Sequence, residues 1–474
     1  MLHVLSSLAV RSIRRTTALF ALALAALVLA AGRLPAQPTS AAEPPPATAA
    51  DLLDQLVRDA LTRNLALAQR DLTARQGAHG VRQARGVLLP TLGVDARYSE
   101  FSGVVNIGDF INPAYAALNQ LIGQDRFPTT VAATLPFRQE TRLRATQLLY
   151  NQAAIEQWRL ARTLAGVSDA QRDQAARELI ADVQVAWLGL AGAMRLVEVY
   201  ATSLAVLDEH VRVAERLTAN DQGTLDAVYR ARADREELAQ QFADAERQRD
   251  AARRLLNLML DRDANSPIPV LDDSTLVRPL PTDRDATLAS ALRRREELVQ
   301  AGLGVQAAER QERMAGGAFR PTLALAADWG IQGEQYRLDG SGNVALASIV
   351  LQWNLFNGGQ DAARREQATL ERRKANLRQR EAERQIEVQV AQAWDAAQVA
   401  ERALATAAAR LEAARRSFRL VARRYEEGLA PHLEFVAARA ASTQAELNAV
   451  ITRFAYAARR VELERVAALR PLSR

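Results

Sequence analysis

Sixty-eight consecutive residues, Gln360 to Glu427, contain neither proline nor glycine. Proline lacks an amide hydrogen and clashes with the preceding turn, and glycine weakens a helix interior, so a run without either is free to stay helical. The run is also rich in Ala, Arg, Glu and Gln, all strong helix formers. A helix from about Gly358 to Glu427 would be roughly 100 Å long at 1.5 Å per residue. No small globular domain can enclose such a rod. A second proline-free stretch, between Pro136 and Pro267, leaves room for another.

The apolar residues inside these stretches follow one rhythm. Val183, Ala186, Leu190, Ala193, Val197, Tyr200, Leu204, Leu207, Val211 and Ala214 alternate spacings of three and four. So do Leu404, Ala407, Leu411, Ala414, Phe418, Val421 and Tyr425. That is a coiled-coil seam, and alanine at many of its positions lets helices approach closely. The seam alone does not assign a function, because an ordinary dimeric coiled coil has the same pattern.

The chain reads as two copies of one unit. Leu89-Pro90-Thr91-Leu92 matches Arg320-Pro321-Thr322-Leu323 at an offset of 231. Gln147 to Asn151 matches Trp353 to Asn357 at 206, Trp187 matches Trp394 at 207, and Leu225 to Val228 matches Leu433 to Val436 at 208. The helical parts are therefore equal in length. The 25 extra residues of the first copy (231 − 206) fall between Pro90 and Tyr150, in a surface loop from about Ser102 to Phe137. The expected organisation is a first repeat over 51–260, a linker over 261–284 and a second repeat over 285–469. Each repeat runs helix, strand pair (91–150 and 322–356), long helix (151–219 and 358–427) and return helix (225–260 and 432–468).

The strand segments alternate with period two. Leu92, Val94, Ala96 and Tyr98 alternate with Gly93, Asp95, Arg97 and Ser99. Leu143, Ala145, Gln147 and Leu149 alternate with Arg142, Arg144, Thr146 and Leu148, and Leu323, Leu325, Ala327, Trp329 and Ile331 with Thr322, Ala324, Ala326, Asp328 and Gly330. The fourth strand offers Ile349, Leu351 and Trp353 against Val350 and Gln352. Segments of about ten alternating residues have the length of a transmembrane β-strand. Four strands leave two open edges, which lipid does not tolerate, and closed membrane barrels begin at about eight strands. Strands that span a membrane here need several chains: two would give eight strands, three would give twelve.

The N-terminus reads as an address. Arg11, Arg14 and Arg15 precede an uncharged apolar run from Ala18 to Ala31, and Ser40-Ala41-Ala42 offers a cleavage site, so residues 1–42 are expected to be a removed signal peptide. No later stretch has 18 unbroken apolar residues, so no transmembrane helix is expected. The chain carries 61 Lys+Arg against 55 Asp+Glu. Cleavage removes four Arg and no acid, leaving 57 against 55, and the argument for nucleic acid as a partner goes with them. There is no Cys, which excludes disulfides, thiolate metal sites, a Cys nucleophile and a lipid on an N-terminal Cys. His3, His79, His210 and His432 form no ligand-spaced pair. Gly302-Leu303-Gly304 lies in a helical pattern without the rest of a dinucleotide fingerprint, and there is no P-loop, nucleophile elbow or His–Glu metal helix. Neither an enzyme nor a cofactor is expected.

On these parts the chain resembles the TolC-like outer-membrane efflux protein family. The resemblance covers about Asp51 to Leu469. It is carried by the paired Pro-Thr-Leu strand starts, by LQWNLFNGGQDAARREQA at Leu351–Ala368 and by RRYEEGLAPHLEFVAARA at Arg423–Ala440. It implies a mainly α fold with a transmembrane β portion. Two tandem repeats would give a long coiled-coil-like helical barrel, and four strands per chain would join a homotrimeric twelve-stranded barrel in the outer membrane. The implied function is a passive efflux outlet of a tripartite pump. Its partners would be outer-membrane lipid, a periplasmic membrane-fusion adaptor and an inner-membrane pump of the RND or ABC type. The helix tips would form an iris-like periplasmic gate, with Tyr425 linked to Asp226, turn residues Asn220, Gly428 and Pro431, and Glu434 lining the entrance. Ala430 and Ala437 stand where some members carry a gating Arg and a second Asp. Asp95, Arg97, Asp328, Arg142 and Arg144 would face the barrel lumen. A type I secretion outlet is an alternative within this reading, and a poreless periplasmic coiled coil an alternative outside it.

Overall fold

The computed structural model describes residues 49–100, 106–131, 138–270, 278–333, 342–427 and 429–472. The expected signal peptide over residues 1–42, the turn glycine Gly428 and residues 271–277 of the linker lie outside the described residues.

In chain order the elements are α1 (Ala49–Arg63), α2 (Leu65–Gly86), β1 (Thr91–Tyr98), α3 (Gly108–Ile122), β2 (Gln139–Tyr150), α4 (Gln152–Ala219) and α5 (Leu225–Met259). The second half follows with α6 (Arg284–Arg294), α7 (Glu296–Gly316), β3 (Thr322–Gly333), β4 (Asn343–Gln352), α8 (Gln360–Glu426) and α9 (His432–Val466). The rods α4 and α8 have 68 and 67 residues, about 100 Å each at 1.5 Å per residue. The asparagine that the repeat aligns is the cap of α4, and in α8 it stands two residues before the cap Gly359. Asn151 Oδ1 accepts from Ala154 N at 2.9 Å, and Asn357 Oδ1 accepts from Asp361 N at 3.3 Å. Such a side chain satisfies an amide that the first turn leaves unpaired.

Each helix ahead of a strand is broken in two. Asn64 separates α1 from α2: its Oδ1 caps Leu67 N at 3.0 Å while its Nδ2 donates to Met259 O at the end of α5, at 2.9 Å. So α2 takes over where α5 stops, and the two run end to end beside α4. Arg295 makes the equivalent break between α6 and α7, with extended backbone. There Ser290 Oγ donates to Ala468 O just beyond α9, at 3.5 Å. The two repeats thus use the same joint.

The core lies at this joint. Leu52 and Leu56 of α1, Val183, Trp187 and Leu190 of α4, Leu256 of α5 and Phe454 of α9 are buried together. Trp394, the repeat partner of Trp187, anchors a second cluster with Ala397 and Leu463. All seam positions named above are buried or half-buried. One window of α4 is apolar and long enough by composition to cross a bilayer, although charged residues interrupt it. Its buried Val183, Trp187, Leu188 and Leu190 place that apolarity in the protein core instead.

The strands form one antiparallel sheet in the order β1-β2-β3-β4. The central pairing, β2 with β3, joins the two repeats. The rows Val94–Leu143–Trp329–Ala345 and Asp95–Arg142–Gly330–Val344 fix the register. β4 starts at Asn343 and ends at Gln352, so Trp353 lies past the strand and not in it, with its Nε1 donating to Phe319 O at 3.3 Å. The first-repeat loop contains the helix α3, which its surface-loop composition did not suggest.

Candidate functional site

Residues paired directly across strands share a face, and neighbours along a strand alternate. That rule sorts the charged residues completely, and Leu346 and Val350 of β4 fall on their face. Every charged residue of the four strands lies on one face: Asp95, Arg97, Glu140, Arg142, Arg144 and Asp328. The other face carries Leu92, Val94, Tyr98, Leu143, Trp329, Ile349 and Leu351. Several of these are largely exposed in the single chain, Leu92 at 74% and Trp329 at 64%. An apolar face this bare needs an apolar neighbour.

The charged face is a network. Arg144 Nε meets Asp328 Oδ1 at 2.9 Å, and its Nη1 meets Asp95 Oδ2 at 3.1 Å. Arg97 Nη2 meets Glu140 Oε2 at 2.8 Å, Glu140 also pairs with Arg142, and Arg142 Nη2 donates to Gln332 Oε1 at 2.8 Å. Three cations face three anions. All five residues expected on this face are there together. Glu140 is the sixth, missed by the sequence reading although it stands two residues before Arg142 and so has the same parity.

The other candidate site is the pair of helix tips. In the first, α4 closes through Gln222 N to Leu217 O at 2.9 Å, and Thr224 caps α5. The turn residue Asn220 has φ −100°, and the left-handed residue of the turn is its neighbour Asp221, at φ 58°. Asp226 is exposed at the start of α5 and pairs with Arg230 at 3.0 Å. In the second tip Leu429 N donates to Arg424 O at 2.7 Å, and Pro431 occupies the cap position of α9. Glu434 is held by Arg424 Nη1 at 3.3 Å.

Tyr425 does not point into an empty space within its own chain. Its ring stacks on Phe435 at 4.8 Å between centroids and lies 6.1 Å from His210 and 6.2 Å from His432. The two imidazoles stack at 4.8 Å, nearly parallel. This aromatic joint ties α4 of the first hairpin to α8 and α9 of the second. His210 is buried, and its Nε2 has no hydrogen-bond partner. Burial, then the neighbouring His432 and Arg439, lower its pKa to about 4, while Asp234 acts the other way. Burial likewise lowers Arg439 and raises Tyr425. No local pattern signals this cluster, because its members come from helices far apart in the chain. Among the described residues no group of three or more His, Cys, Asp or Glu is placed to hold a metal.

The family model of outer membrane efflux proteins matches residues 287–468. That match covers most of the second repeat. No curated protein matches the chain. Solved structures extend the likeness in fold to both repeats. The outer membrane protein VceC of Vibrio cholerae is 16% identical at a TM-score of 0.70, covering 88% of this chain and 95% of its own. The CmeC outer membrane channel of Campylobacter jejuni is 15% identical at 0.74, covering 92% and 90%. The open state of the Neisseria gonorrhoeae MtrE outer membrane channel is 21% identical at 0.69, covering 88% of each. The architecture of outer membrane efflux channels, mostly helical with four antiparallel strands, is that of this chain.

Proposed function

We propose that the chain is one third of a homotrimeric efflux channel whose barrel crosses the outer membrane and whose helices reach into the periplasm. The sheet carries this reading. It has two open edges, one apolar face and one charged face. Closing three such sheets edge to edge gives twelve strands, leaves no edge, puts the apolar face on lipid and the charged face on water. With three cations balancing three anions per chain, such a lumen selects weakly by charge.

In this reading the tips are the gate, and a periplasmic adaptor and an inner-membrane pump supply the opening and the energy. Asp226 and Tyr425 act by holding tips together between neighbouring hairpins. Glu434 contributes a weaker cation preference than a free carboxylate would, because Arg424 partly neutralises it. Conductance of the purified protein in planar bilayers tests this. Small closed-state conductance is expected, rising several-fold in Asp226→Ala and Tyr425→Phe. Wild-type conductance in both variants would remove these residues from the gate, and absence of any channel under all voltages would remove the channel.

A further inference from the structure

The strand pairing obeys the internal repeat, residue for residue. The repeat carries β1 onto β3 at the offset of 231 and β2 onto β4 at the offset of 206. Under that shift the partners Thr91 and Thr146 become Thr322 and Gln352, which are themselves partners. Val94 and Leu143 become Leu325 and Ile349, which also pair. The two strand pairs formed inside the repeats therefore have one register.

Between repeats the chain forms a single seam, β2 with β3, and among the described residues the outer edges of β1 and β4 stay unpaired. Carried through the same shift, the β2–β3 seam becomes a β4–β1 seam. Ala145 and Ala327 become Leu351 and Ala96, Leu143 and Trp329 become Ile349 and Tyr98, and Thr146 and Ala326 become Gln352 and Asp95. The faces then agree. Leu351 and Ile349 stand opposite Ala96 and Tyr98 on the apolar face, and Gln352 opposite Asp95 on the charged one. A slip of one residue would mix the two faces along the whole seam.

The end of β4 points the same way. β2 outruns β1: Thr91 pairs with Thr146, and the last residues of β2 are held by β3 alone, with Gln147 opposite Leu325 and Tyr150 opposite Leu323. Their repeat counterparts, Trp353 to Phe356, lie beyond β4 and belong to no strand. They are bare, Leu355 at 80% and Phe356 at 84% exposed. What they lack is the counterpart of β3, and that is the β1 of another chain.

We propose that β4 of one copy pairs antiparallel with β1 of the next, with Leu351 opposite Ala96, and that this pairing extends β4 to Phe356 against residues 92–94 of that copy. This rests on the trimeric reading above and adds the register of its seams. The contact is head-to-tail, so each copy uses both of its edges and the ring closes. Gln352 and Val350 stand opposite the charged Asp95 and Arg97, so backbone bonds and the apolar face hold this seam, without an ion pair directly across it.

The absence of native Cys makes the test direct. In the full-length protein Ala96→Cys is combined in turn with Ala347→Cys, Ile349→Cys, Leu351→Cys and Trp353→Cys, and Val94→Cys with Ile349→Cys, Leu351→Cys, Trp353→Cys and Leu355→Cys. Each variant is oxidised in outer-membrane fractions, and its native mass is measured in parallel. A disulfide needs Cα atoms within about 7 Å, and a shift of four residues moves them by roughly 13 Å. Reducible covalent links between chains should peak at Leu351→Cys in the first series, at least ten-fold above Ala347→Cys, and at Trp353→Cys in the second. A peak at another position in a trimeric sample overturns the register while leaving the trimer intact. A trimeric sample without links in the first series overturns the seam, and one without a peak at Trp353→Cys overturns the extension of β4. Monomeric samples across both series remove the trimer, and the seam with it.

Discussion

His210 shows how one buried side chain can make the tip region sensitive to pH. Its pKa falls to about 4 in the folded chain, from 6.5. The unfolded chain therefore binds the extra proton throughout the window from 6.5 down to 4. Its contribution is fully present above pH 6.5 and is lost as pH falls, by up to ~1.4 kcal/mol per pH unit. The groups facing it are His432 and Arg439 on α9, Tyr425 on α8 and Asp234 on α5. The midpoint of heat-induced helix loss should fall on acidification across that window, and His210→Phe should flatten the dependence. An equal slope in the variant would show that other groups dominate. Gly330 gives a second residue-scale expectation. A Cβ there would lie 2.0 Å from Thr141 O, so Gly330→Ala should lower the midpoint while Gly93→Ala, with open space, should not. Neither effect was legible beforehand: a close approach between strands and a joint between hairpins both depend on packing that no local pattern encodes. The parity of Asp95, Arg142 and Asp328, in contrast, stood in the sequence, because the strand period is two.

At the scale of elements, the joint between the repeats and the faces of the sheet can be tested separately. Arg177 of α4 clamps Glu296 at the start of α7 with contacts of 2.7, 2.9 and 3.1 Å, and both are largely buried. Removing one partner of such a pair leaves a buried charge and costs about 3–5 kcal/mol. Glu296→Ala should therefore destabilise strongly, measured by urea or heat, and the double variant with Arg177→Met should recover part of the loss. On the sheet, Leu143→Arg should cost roughly 2–4 kcal/mol if its face meets lipid, and Thr146→Arg on the charged face far less. Equal costs would contradict the assignment of faces. The long helices were readable because breaker-free runs and a seam of period near 3.5 are local signals. The helix α3 was not, because Pro113 and three Asn residues in 106–119 give the composition of a loop. Pro113 stands inside the helix, in its second turn, and two of those Asn serve the tertiary clamp on Phe127 and Val131. The break at Asn64 was hidden for the same reason, since its second bond is to Met259, 195 residues away.

For the whole molecule, duplication explains why one chain holds two hairpins of equal length and why β2 and β3 meet across the repeat boundary. It does not close the sheet. β1 and β4 each keep an unpaired edge within the chain, and their apolar face is bare. Both are satisfied at once by three copies in a ring. The number of chains was open in the strand count alone, which allowed two as readily as three. Native mass spectrometry of protein extracted from outer membranes in mild detergent decides it. A single species at three times the mass of the processed chain is expected. A monomer or dimer, or protein recovered in the soluble fraction, would contradict the shared barrel.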